Sequence, residues 1–117
     1  MVSERVTQLR ITIAVARVLK AFLADVSQPR YGYDLMDETG FPSGKIYPIL
    51  ARLTRAGWLV REREGIDPAQ EGRPARYMYR LTERGTEAAR YELAELSHQI
   101  ALSPRSPRQF RPEGGRA

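Results

Sequence analysis

The spacing of apolar residues changes twice along this chain, and the order of those changes limits the folds open to it. Val15, Val18, Leu19, Phe22 and Leu23 recur at helical spacing and predict a helix from about Thr12 to Asp25. Leu35 and Met36 place a second, shorter helix over Tyr31 to Thr39, closed by Gly40, with Asp34, Asp37 and Glu38 on its solvated side. Ile46, Ile49, Leu50 and Leu53 give a third helix, capped by Ser43 and ending near Gly57. Beyond Gly57 the period becomes two: "WLVRERE" and "ARYMYRLT" read as strands flanking the turn-rich "GIDPAQEGRP". Thr82 then caps a last helix running to about Leu102. Leu9, Ile11 and Ile13 alternate, which leaves residues 6–13 open as a strand or an arm. The order helix, helix, turn, helix, strand, strand, helix predicts a mainly α fold with a small β-hairpin, a winged helix-turn-helix followed by a C-terminal helix.

At 117 residues the chain suits one domain with a modest core. Absence of cysteine excludes disulfides and cysteine-based metal sites, and no apolar run approaches the ~20 residues of a membrane span. The first residues, "MVSERVTQLR", lack an apolar signal core, so a cytoplasmic protein without membrane association is expected. His98 stands alone, with no motif-placed nucleophile, metal set or glycine-rich phosphate loop, which predicts no enzyme activity, metal or cofactor. The net charge of +5 is uneven: residues 43–80 carry +4 and the tail 103–117 carries +3. A basic centre suits a polyanion. The tail, "SPRSPRQFRPEGGRA", is expected to be disordered.

Pro48 is the odd residue of the third helix, because its missing N–H leaves the Gly44 carbonyl without a helical partner. At ~100° per residue it falls opposite the apolar stripe, beside Gly44, Ala51 and Arg55, where that carbonyl meets water. Lys45 and Arg52 flank this small face, so it can approach a duplex closely with cations at its edges. Tyr47 lies at the border between the two faces. In the hairpin, Gly72-Arg73-Pro74 presents an arginine on a turn, followed by Arg76, a placement suited to a narrow minor groove. Ala89, Leu93, Leu96 and Ile100 form a heptad-type seam on the last helix, which predicts dimerisation. Trp58 reads more readily as core than as a ligand platform.

"YGYDL" with Gly40, then "SGKIYPILARLTRAGWL", then "GRPARYMYRLTERG" resemble the PadR family of bacterial transcriptional regulators over about residues 12–86. Lys45, Ile46 and Met78 depart from its commoner residues. The resemblance implies a dimeric winged-helix repressor with a third helix in the major groove of a pseudo-palindromic operator. It also supports a phosphate contact for the Tyr47 hydroxyl. The expected DNA-binding residues are Ser43, Gly44, Lys45, Tyr47, Pro48, Arg52, Arg55, Arg73 and Arg76. The expected partition is a DNA-binding domain over 1–82, a dimerisation helix over 83–102 and the basic tail over 103–117. A small aromatic effector would lodge between helix and wing against Tyr91, Trp58 and Met78, whose polarizable side chains accept varied apolar molecules. The alternative is a winged-helix protein-interaction module without DNA contact.

Overall fold

The computed structural model describes residues 9–102. The elements are α1 (Ile13–Leu23), β1 (Arg30–Tyr31), α2 (Gly32–Thr39), α3 (Ser43–Arg55), β2 (Leu59–Arg63), α4 (Pro68–Glu71), β3 (Tyr77–Leu81) and α5 (Glu83–Ala101). Thr12 starts α1 by accepting a hydrogen bond from the Val15 N–H. Ahead of it residues 9–12 form no regular element, and Leu9 and Ile11 pack against the core. Of the span 6–13, residues 6–8 lie outside the described residues, as does the tail 103–117.

The helix-turn-helix core is built from three apolar stripes. Val15, Val18, Leu19 and Phe22 of α1 meet Leu35 of α2 and Ile46, Ile49, Leu50 and Leu53 of α3, all buried. Trp58, Leu59, Tyr79 and Leu81 of the sheet side close that cluster, together with Ala89 of α5. The N-cap of α3 is Pro42 rather than the expected Ser43, which is the first helical residue and makes no side-chain cap. Proline's fixed φ suits this entry, and its carbonyl accepts from the Lys45 and Ile46 N–H groups. Asp34 likewise is not merely solvated: it accepts from the Tyr31 N–H at 3.0 Å and so caps α2.

The expected hairpin is present, with Leu59 opposite Leu81 and Arg63 opposite Tyr77, but it is two strands of a three-stranded sheet ordered β1-β3-β2. Arg30 and Tyr31 pair with Tyr79 and Met78 on the far edge of β3. Arg30 is buried, and its guanidinium donates to both Glu38 oxygens at 2.7 Å and to the Ala21 carbonyl at 2.8 Å, so the interior cation is compensated. The wing tip carries a single helical turn, α4, started by Asp67 accepting from the Ala69 N–H, with Pro68 at its first position. Thr82 caps α5 and also donates to the Gly57 carbonyl at 2.8 Å, tying the end of β3 to the end of α3. Gly85 is required there, because a Cβ would run into the Trp58 backbone carbonyl.

Candidate nucleic-acid interface

The face of α3 opposite its apolar stripe is open. Ser43, Gly44, Lys45, Tyr47, Pro48, Ala51, Arg52 and Arg55 are all exposed. Pro48 therefore stands where its missing donor and the freed Gly44 carbonyl cost least, at the solvent side of a helix held by packing on the other. Lys45 is steadied over the Phe41 ring, its Nζ 4.9 Å from the centroid. Arg17 of α1, not foreseen from the sequence, lies over that same ring at 5.5 Å. A second cation thus stands near the start of α3. Only the packing of α1 against the α2–α3 turn reveals it, since the two residues are far apart in sequence.

The wing differs from expectation at Arg73. Its guanidinium forks onto Glu64, Nη1 to Oε1 at 2.9 Å and Nη2 to Oε2 at 3.0 Å, and also donates to the Pro74 carbonyl. Arg73 is engaged within the wing, not presented freely to a groove. The same Glu64 carboxylate accepts from the Arg76 N–H at 3.1 Å and from the Tyr31 hydroxyl at 3.2 Å. The Arg73 guanidinium first, then the Arg76 N–H, hold the Glu64 carboxyl at a pKa of about 2. Burial, and then the Glu64 charge, push the Tyr31 phenol up. Arg76 is exposed, with its guanidinium 5.4 Å from the Tyr33 ring centroid.

Two further expectations are corrected. Ala89 has no exposed surface and belongs to the core of its own domain, so it cannot meet a second protomer; helical spacing marks a face without saying what covers it. Leu93 and Leu96 are half-buried and Ile100 is 59% exposed. With Ile13 and Ala16 of α1 they line an open groove of about 540 Å³. The proposed effector crevice does not assemble either. Trp58 is fully buried, Tyr91 is exposed on α5 beside Arg84 and Glu92, and Met78 lies on β3 opposite Tyr31 and Glu62. Period-two alternation puts Met78 on the sheet face away from Tyr79 and the core. Three polarizable residues fall in three places.

Among the described residues no group of three or more histidine, aspartate or glutamate side chains could hold a metal ion, and no helix is long and apolar enough to cross a membrane. Winged-helix regulators of transcription are the class that such a fold and such an α3 face define. The model of the "Transcriptional regulator PadR-like family" matches residues 21–91, more than half of the sequence. The chain belongs to that family. Among solved structures it resembles a possible transcriptional regulator from Methanosarcina mazei Go1, at 16% identity and a TM-score of 0.57, covering 86% of this chain and 80% of that one. At that identity the likeness concerns the fold. No curated protein matches the chain.

Proposed function

We propose that this PadR-family regulator is a cytoplasmic repressor that binds a pseudo-palindromic operator as a homodimer. Each protomer lays α3 in the major groove, with Gly44, Pro48 and Ala51 allowing close approach and Ser43, Lys45, Arg52 and Arg55 reaching base edges or phosphates. The observation that carries this reading is that every one of these residues is exposed on one helix whose other face is wholly committed to the core. Tyr47 and Arg76 extend the contact toward the wing, while Arg73 acts from behind by bracing it.

Residues 1–82 form the DNA-binding unit in this scheme, and 83–102 the dimerisation helix. Support for the latter is the groove between α1 and α5, where Ile13, Leu93, Leu96 and Ile100 leave a largely apolar surface bordered by Arg17 and Lys20. The distal turns of α5 extend past the core, since only Gly85 and Ala89 of that helix are buried. A second copy related by two-fold symmetry covers such a surface with the same surface of its own.

Replacing Lys45 and Arg52 together with alanine tests the docking mode. Both are exposed, so the fold is retained. Duplex affinity falls, and the salt dependence of binding flattens by ~0.9 in log–log slope for each phosphate that is no longer neutralised. A folded double variant with unchanged affinity and slope removes α3 from the interface.

A further inference from the structure

The sequence contains six tyrosines, and five of them converge on a single crevice of about 300 Å³. Tyr47 comes from α3 and Tyr77 and Tyr79 from β3. Tyr31, Gly32 and Tyr33 come from the junction of β1 and α2, and Arg76 from the approach to β3. The crevice therefore spans the interval between the reading helix and the wing. Tyr79 at its floor belongs to the core, but the outer walls are open: Tyr33, Tyr47 and Tyr77 are 48%, 44% and 42% exposed. Large aromatic surface left open in one place marks a contact site more often than chance.

The walls are held in position. Tyr31 and Tyr33 stack with centroids 5.1 Å apart and planes within 6°. Tyr31 is anchored in turn by its hydroxyl on Glu64. Gly32 makes room for the crossing of α2 and α3, because a Cβ there would run into the Tyr47 ring and hydroxyl. Two cations complete the rim: Arg61 lies 4.2 Å from the Tyr77 centroid, and Arg76 lies over Tyr33. Among the described residues none of those lining the crevice is acidic, and Glu64 behind it is already neutralised by Arg73. Phenol hydroxyls and guanidinium groups are hydrogen-bond donors suited to anionic oxygen. An open trough between helix and wing fits an extended anion better than a small enclosed one.

We propose that this crevice seats the stretch of duplex sugar–phosphate backbone that passes from the groove holding α3 to the wing, with Tyr33, Tyr77 and Arg61 as its newly assigned anion-binding residues. The assignment rests on the DNA-binding reading and adds residues that lie off the α3 face and outside the DNA-binding set expected from the sequence. Its contacts are to phosphate, so they add affinity without sequence preference. The full chain is titrated with a random-sequence duplex and with a duplex enriched by selection, as the natural protein, as Tyr33→Phe/Tyr77→Phe and as Arg61→Gln. The phenylalanine pair keeps both rings and removes only the hydroxyls. It weakens both duplexes by the same factor, about a hundredfold, as the loss of two charge-assisted hydrogen bonds at about tenfold each requires. Arg61→Gln lowers the salt slope by ~0.9. Variants that bind both duplexes as the natural chain does, with unchanged slope, overturn the crevice and leave the DNA reading standing. A natural chain that binds neither duplex overturns both. Competition by millimolar inorganic phosphate beyond that of chloride at equal ionic strength makes the crevice a small-anion site and also overturns the proposal.

Discussion

Glu64 shows how much one carboxylate can organise. It joins Arg73 in the wing, the Arg76 backbone at the foot of β3 and Tyr31 on β1, so three separate stretches of chain depend on its being charged. Its side chain is only 14% exposed, and its pKa is held at about 2 against an ordinary 4.5. A depressed carboxylate pKa means that the unfolded chain takes up the proton first. The stability contributed by Glu64 is therefore complete above pH 4.5 and is lost as pH falls toward 2. Urea unfolding followed by the fluorescence of Trp58, the single tryptophan, gives a higher midpoint for the natural chain than for Glu64→Gln at neutral pH. That gap closes between pH 4.5 and 2; a gap independent of pH in that window would show that the charge on Glu64 contributes nothing. This network was not legible in the sequence. Arg73 on a glycine–proline turn reads as a groove arginine, and nothing local points to its role as a wing brace. Its partner is nine positions away, across a tip whose geometry depends on a one-turn helix too short to show a period. Gly85 is a similar case: its need comes from the close approach of the Trp58 carbonyl, which no local pattern encodes.

The helices were the most legible elements, because each presents one apolar stripe at a period of 3.6 to one core. The α3 helix follows its sequence reading apart from its cap, Pro42 rather than Ser43, a shift of one position. Two-residue β1 and four-residue α4 were missed, since neither is long enough for alternation or helical recurrence. The α5 seam departs from its reading at Ala89 for a physical reason: Ala89 shares its face with Leu93, yet the near end of that face is buried in the core and the far end is exposed at Ile100. The far end is where a substitution should act. Leu96→Glu replaces an apolar side chain of the α1–α5 groove by a carboxylate, which Arg17 and Lys20 of the same groove draw toward α1 and away from a covering second protomer. Sedimentation equilibrium then gives monomers, and duplex affinity falls as half-sites are bound singly. A Leu96→Glu protein that stays a tight dimer puts the interface on another surface.

The assembled chain separates its tasks by charge and burial. Basic residues gather on α3 and the wing, while apolar side chains of α1 and α5 line a separate groove that Arg17 and Lys20 border. Fold and family were accessible from three motifs in order, and the open face of α3 from one misplaced proline. The tyrosine crevice was not, because its five rings come from α3, β3 and the β1–α2 junction and meet only after the sheet closes on the helices. If two α3 helices are held by one symmetric dimer, the spacing of their footprints is a geometric property of the protein, not of any one base contact. Selection of bound sequences from a random duplex pool by the natural chain measures that spacing directly. The expected outcome is enrichment of an inverted repeat whose half-site centres lie about 10 base pairs apart, or a multiple of that turn. A pool that stays random through successive rounds, or that converges on a single unrepeated half-site, would contradict a dimeric repressor reading DNA through α3.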